Sequence, residues 1–238
     1  MYFLLFLFLL IVFIIIFRNL LKYKFIELCL IFSNKIVSKN SLIGNSHIYS
    51  NNIVMEGPIL EKNWEIFRKE ALESYSKCET ICNDPYFQDL VSNKKDWKKL
   101  YIKWYSDIDP LAKKLCPKTC EIISKMPNIK LAMFSILQPR TTIKIHNGPS
   151  KSCLRYHLGL STPNSKDCYI SINWEKYYWK DGEGVFFDDT YPHYVENNTD
   201  KIRIILFCDI VRPVKDGFPK IVNDFVNEKL GPLTTRKN

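Results

Sequence analysis

The sequence has no internal repeat, no stripe of basic residues interleaved with aromatics and no tightly spaced cysteine knuckle. The first absence excludes a solenoid or repeat array. The second argues against a nucleic-acid partner, because the lysines behind the net charge of +9 are scattered along the chain. The third argues against a zinc ribbon. The eight cysteines include two C-x-x-x-C pairs, Cys78 with Cys82 and Cys116 with Cys120, and cysteines four apart on a helix do not meet in disulfide geometry either. Free thiols are the expectation, in keeping with a reducing compartment. No basic residue precedes the first apolar run and no small-residue cleavage site follows it, which argues against a cleaved signal peptide.

That apolar run is itself the clearest feature of the N-terminus. Tyr2 to Phe17 contains no charged or strongly polar residue, and Arg18, Lys22 and Lys24 follow it. Leu20 and Leu21 extend the run while Arg18 snorkels, so residues 1–24 are expected to form a single transmembrane anchor. The basic flank places the remainder of the chain on the cytoplasmic side. The sequon Asn197-Asn198-Thr199 is then out of reach of glycosylation. Residues 25–60, with a Gly44-Asn45 turn, read as a membrane-proximal connector whose Phe25 to Phe32 patch lies along the bilayer surface.

A chain that is 46% hydrophobic, 14% aromatic and 25% charged suits one ordinary globular domain, expected here over residues 61–215 with a helix and tail at 216–238. Trp64, Phe67, Ala71 and Tyr75 recur at helical spacing and predict an amphipathic helix from Glu61 to Tyr75. Asp109 before Pro110 reads as a helix cap, and Pro117 restarts a second short helix. Past Met126 the pattern changes to short runs rich in Ile, Phe, Tyr, Leu and Val near 131–137, 141–146, 153–160, 168–174, 184–187, 191–196 and 201–210, separated by polar turn clusters. Their even spacing predicts a mainly β fold, a jelly-roll or cupin-like double-stranded β-helix with flanking N-terminal helices. A closing helix is expected from Pro219 to Leu230, with Gly231 as its stop.

The four histidines are His47, His146, His157 and His193, and the last three fall in the strand-rich half. His146 ends the alternating run Thr141 to Ile145 and opens a His-Asn-Gly-Pro turn. His193 ends Phe187-Asp188-Asp189-Thr190-Tyr191-Pro192. Two imidazoles at strand ends suit Fe(II) or zinc equally, and the residues alone do not choose the metal. Arg155 and His157 lie two apart and so share one strand face, as Arg203 does within its own apolar run. Guanidiniums on barrel strands need anions, either a buried structural carboxylate or a small dicarboxylate gripped by bidentate contacts. Asp188 and Asp189 are either turn formers or supports for the histidines.

The chain resembles the aspartyl/asparaginyl beta-hydroxylase family, and most closely its membrane-anchored lipid A hydroxylase branch. The likeness runs from about Asn63 to Lys215. It is carried by Trp97 to Tyr105 (WKKLYIKWY), Leu115 to Thr119 (LCPKT), Leu154 to Leu160 (LRYHLGL) and above all DDTYPHYVENNTDKIRIILFCD from Asp188. The resemblance implies a dioxygenase that uses Fe(II), 2-oxoglutarate and O2. In it His146 and His193 bind the metal, Arg203 and Ser135 hold the distal carboxylate of 2-oxoglutarate, and Arg155 with His157 completes cosubstrate binding. It further implies a membrane-proximal lipid acyl chain or a peptide Asp or Asn side chain as substrate. The lipid branch looks as though it carries aspartate two residues after the first ligand. Here that position is Gly148, as in the His-x-Gly-Pro of the peptide-hydroxylating members, which work with water in that place. This departure keeps open a second expectation, a catalytically inactive metal-binding or interaction module on the membrane.

Overall fold

The structure, a computed structural model, describes residues 2–80 and 89–232; the side chains of residues 2–20, 79, 80 and 94 lie outside that description. The chain opens with one long helix, α1 (Tyr2–Asn40). Among the described residues no helix is long and apolar enough to cross a membrane. The anchor expected over residues 1–24 falls mostly on side chains outside the described residues. Within the stretch read as a connector, residues 25–60, helix continues to Asn40. Ile26, Leu30, Ser33 and Val37 recur at helical spacing and are buried, and Ser33 satisfies its hydroxyl on the Leu30 carbonyl at 2.9 Å.

After a two-residue strand β1 (Ile48–Tyr49), α2 (Glu56–Lys62) and α3 (Trp64–Ser74) take the place of the single helix read from Glu61 to Tyr75. The break sits at Asn63, whose backbone leaves helical geometry and whose side chain donates to the Ile59 carbonyl at 2.8 Å. Strands β2 (Glu79–Thr80), β3 (Trp97–Trp104) and β4 (Asp107–Ile108) follow. Next come α4 (Pro110–Leu115) and α5 (Pro117–Ser124). Asp109 caps α4 as expected, accepting from the amides of Leu111 and Ala112. The buried Glu70 carboxylate of α3 accepts from the Lys118 and Thr119 amides at the start of α5, which satisfies donors the helix cannot pair internally.

The barrel strands are β5 (Ile129–Leu137), β6 (Thr141–His146), β7 (Cys153–Ser161), β8 (Cys168–Ile172), β9 (Glu175–Tyr178), β10 (Gly184–Phe187), β11 (His193–Asn197) and β12 (Arg203–Val211). They form two antiparallel sheets. The larger has the order β1-β10-β7-β12-β5-β3-β2 with β4 on β3, and the smaller the order β6-β11-β8-β9. Non-sequential neighbours in both sheets give the jelly-roll topology that the strand spacing predicts.

Side-chain alternation sorts the larger sheet into two cores. Phe134, Ile136, Tyr156, Leu158, Leu206 and Cys208 face the helices, packing on Leu60, Phe67, Ala71, Cys116 and Ile123. Met133, Ile205 and Phe207 face the smaller sheet and meet Ile143, Ile170, Ile172 and Val195. The chain closes with α6 (Phe218–Phe225), which widens over Val226–Leu230. Gly231 is not the stop expected of it, because its φ of −52° is helical. Its missing side chain instead admits the Tyr105 hydroxyl, which a Cβ there would strike.

Candidate functional site

Pairing register places the chemistry. On the inward face of the larger sheet, β12 sets Phe207 opposite His157 and Asp209 opposite Arg155 of β7, and Ile205 opposite Ser135 of β5. Arg203 shares the face of Ile205 and Phe207. From the smaller sheet, His193 of β11 is the register partner of His146 of β6, and their rings lie 4.1 Å apart between centroids. One pocket between the sheets is lined by His146, His193, His157, Arg155, Arg203 and Ser135, the six residues to which the resemblance gives a role. Ile143, Ile170, Phe187, Val195 and Phe207 supply its apolar walls.

Both strand-end histidines are oriented alike. His146 Nδ1 lies 2.7 Å from the Lys144 carbonyl and His193 Nδ1 lies 2.9 Å from the Tyr191 carbonyl. A carbonyl only accepts, so each Nδ1 carries the proton and each Nε2 keeps its lone pair for a metal. Burial pushes both rings toward the neutral form. His193 is driven down to about 3 by burial and by the neighbouring His146, and burial lowers His146 against the pull of the Lys144 carbonyl. Two neutral imidazoles at this separation are a ready donor pair for a divalent metal. Among the described residues no group of three or more His, Cys, Asp or Glu side chains converges on a metal-sized site.

The two arginines differ in company. Arg155 is engaged by two carboxylates, its Nη1 2.9 Å from Asp189 and its Nε 3.0 Å from Asp209. Arg155 lines the same pocket as Arg203 with much of its donor capacity already spent on these two carboxylates. Arg203 is 1% exposed, and its Nε and one Nη have no hydrogen-bond partner among the described residues. Its guanidinium lies over the Trp179 ring at 4.8 Å, and burial lowers its pKa to about 10. Both ring nitrogens of His157 are likewise buried without a hydrogen-bond partner among the described residues. Burial, then Arg203 and Arg155, hold that ring well below its usual range. Ser135 accepts from the Trp97 indole at 2.9 Å. Buried donors are nearly always paired. Orphans converging from Arg203 and His157 on one pocket therefore match an anionic, hydrogen-bonding occupant such as a carboxylate.

The Asp188-Asp189 pair does more than make a turn. Asp188 is fully buried and accepts from Arg212 and Lys151, each at 2.6 Å. Burial would raise its pKa, but Arg212, Lys151 and Thr190 outweigh it and hold the carboxyl low. Asp189 is raised to about 6 by burial, in spite of Arg155. Its carboxylate lies where a Cβ at Gly148 would be, and the Gly148 amide donates to the Asp189 carbonyl at 2.7 Å. Glycine at 148 is thus what lets Asp189 reach Arg155. Gly148→Ala should destabilise the fold by about 1–3 kcal/mol, as overpacking does, measured by urea unfolding; an unchanged midpoint would refute the packing account. Arg212, three residues past the last motif residue Asp209, is the residue that sequence reasoning missed. Its only signal was a charged residue directly after the strand β12.

Other features fall outside the pocket. His47 pairs with Glu175 at 2.8 Å. Cys29, Cys78, Cys116, Cys120, Cys153, Cys168 and Cys208 are free thiols, and Cys82 lies outside the described residues. Asn197 is fully buried with its amide donating to the Gln138 and Lys201 carbonyls, so its sequon is closed to modification.

The sequence profile of the aspartyl/asparaginyl beta-hydroxylase family matches residues 61–213. An ornithine lipid ester-linked acyl 2-hydroxylase of Rhizobium tropici is 31% identical over 184 residues, spanning 74% of this chain and 64% of that protein. The aspartyl/asparaginyl beta-hydroxylase of Homo sapiens is 31% identical over 159 residues, 65% of this chain but 21% of the human protein. The chain therefore spans less than two thirds of either relative. Among solved structures, a Pseudomonas putida prolyl-4-hydroxylase superposes with a TM-score of 0.42 at 10% identity, covering 64% of this chain and 88% of that one.

Proposed function

The chain belongs to the aspartyl/asparaginyl beta-hydroxylase family, and from that premise we propose that it is an Fe(II)- and 2-oxoglutarate-dependent dioxygenase acting on a membrane-proximal aliphatic carbon. The overall change balances as substrate C–H, O2 and 2-oxoglutarate giving C–OH, succinate and CO2. Bound iron supplies the oxidising chemistry, with the organic cosubstrate providing two electrons. The observation that carries the reading is the buried, unpaired face of Arg203 in the pocket that also holds His146 and His193.

Each residue then has a distinct task. His146 and His193 hold the metal through Nε2, their Nδ1 protons fixed on backbone carbonyls. Arg203 takes the distal carboxylate of 2-oxoglutarate by charge-assisted bonds, and Ser135, already accepting from Trp97, directs its own proton to the same anion. Neutral His157 completes that cradle. Arg155, clamped between Asp189 and Asp209, forms the polar wall on the substrate side. Phe187, Phe207, Ile170 and Val195 exclude water from the reacting carbon. Residues 1–24 are proposed to hold the chain on the membrane as a single-pass protein with the catalytic domain cytoplasmic. The acyl 2-hydroxylase relative supports a lipid substrate; the human relative keeps a peptide Asp or Asn side chain as the second reading.

Anaerobic titration of the full chain with Fe(II) and then 2-oxoglutarate should develop a visible charge-transfer band, and admission of air should yield succinate. A folded protein that binds zinc but shows neither band nor succinate would leave only a metal-binding module on the membrane.

A further inference from the structure

Helix α1 is apolar on more sides than its packing uses. Its inner face, Ile26 and Leu30, is buried against Val226 and Leu230. A second stripe at helical spacing, Leu21, Phe25, Leu28 and Phe32, is half or more exposed. The neighbouring α6 adds Phe218, Ile221 and Phe225, also exposed. Surface helices of water-soluble domains carry charge on their outer face, whereas helices apolar all round are covered by protein or lipid. Between the two helices runs a groove of about 330 Å³, lined by Cys29, Phe32, Ile221, Val222, Phe225 and Leu230 among others. That size falls within the range of roughly 300–1,000 Å³ of small-ligand sites.

The groove borders a second cleft. Val226 lines both it and a smaller polar cleft, which is bounded by Cys153, Arg155, Asp189 and Asp209. Arg155 in turn lines the pocket of His146 and His193. The groove, the cleft and the pocket of the two histidines are thus neighbours, joined in turn by the shared wall residues Val226 and Arg155. This layout suits a molecule with a long apolar tail and a polar group near the reacting carbon.

We infer that the α1–α6 groove seats one acyl chain of a bilayer lipid, delivered from the membrane on which α1 lies, with the chain's polar end at the Arg155 cleft. The occupant is identified by continuity and charge. The same helix begins with the uncharged Tyr2 to Phe17 run, and over residues 18–40 it carries Arg18, Lys22, Lys24, Lys35 and Lys39 against Glu27 alone. Cations flanking exposed apolar side chains favour an anionic bilayer surface. The inference rests on the dioxygenase reading only for what happens to the chain after it is seated.

The test places a tryptophan at the groove, Phe225→Trp or Ile221→Trp, and at an exposed reference on α3, Leu72→Trp. The full chain is reconstituted in vesicles of phosphatidylethanolamine and phosphatidylglycerol whose acyl chains are brominated. The tryptophan at 225 or 221 should lose most of its added emission, and that at 72 should keep it. Absence of quenching at both groove positions in vesicle-bound protein overturns the inference, as does equal quenching at position 72. Succinate formation by the parent is measured alongside. Quenching without succinate upholds the groove and sinks the dioxygenase reading, whereas succinate without quenching does the reverse. Oxygen gained by a soluble Asp- or Asn-containing peptide and not by lipid would also overturn the lipid assignment.

Discussion

His193→Ala should abolish both metal retention and succinate formation while leaving the fold intact. The side chain is 3% exposed at the end of β11, and His146, its register partner, offers a second imidazole beside it. With two side chains proposed to hold the metal, removing one takes half of the protein's donors. Turnover should therefore fall by more than about 100-fold, the upper end of what is lost when only a supporting hydrogen bond to a ligand is cut. The charge-transfer band with Fe(II) and 2-oxoglutarate should vanish in parallel. Burial already keeps this ring neutral, so no buried charge is left unpaired by the change, and circular dichroism with thermal melting should report a folded protein. Retained turnover in the variant would refute the ligand assignment. Loss of turnover with an unchanged band would move His193 from the metal to the substrate.

The parts of the site that sequence could show are those encoded in strand periodicity. Arg155 and His157 interrupt an apolar run two residues apart, so parity puts them on one face of their strand, and it sets Arg203 on the face opposite Ile202 and Ile204; that the two strands are neighbours comes from the fold. His146 and His193 are legible because each ends a strand and begins a turn. What sequence could not show is proximity between segments. Asp189 and Gly148 lie 41 positions apart on different strand ends, and only the closed barrel presses the carboxylate into the space where a side chain at 148 would stand. The same holds for Asp188 with Arg212, a pair whose purpose appears once β12 ends beside the β10 turn. Local misreadings have local causes. The helix from Glu61 divides because the Asn63 side chain competes for a backbone carbonyl, and Gly231 mimics a helix stop although the constraint on it is Tyr105. The jelly roll itself was legible because turn clusters between short apolar runs mark seven of its strands, although the strands Trp97–Trp104 and Glu175–Tyr178 went unread, and nothing in that pattern reports how far α1 continues into the expected connector.

Arg203→Met should separate the function of that residue from its contribution to stability, because the two effects have opposite signs. The guanidinium is fully buried, and its Nε and one Nη lack hydrogen-bond partners among the described residues. A buried donor left unsatisfied costs about 1–3 kcal/mol, and the stacking on Trp179 at 4.8 Å returns on the order of 0.5–2 kcal/mol. Methionine keeps much of the volume and removes the charge, so the ligand-free variant should melt no lower than the parent, as when buried charges are replaced by apolar side chains of similar size. Toward 2-oxoglutarate the change is severe. Truncating one partner of a buried, hydrogen-bonded charge pair costs about 2–5 kcal/mol, which is roughly 30- to 4,000-fold in affinity. The half-saturating 2-oxoglutarate concentration should rise by that factor, while His146 and His193 still retain Fe(II) in its absence. Arg203→Lys should recover little of it, because an ammonium lacks the planar fork that meets both carboxylate oxygens. A variant that melts well below the parent and binds 2-oxoglutarate normally would show instead that Arg203 serves the fold. A guanidinium kept at a net cost to the ligand-free barrel is explained by what it binds.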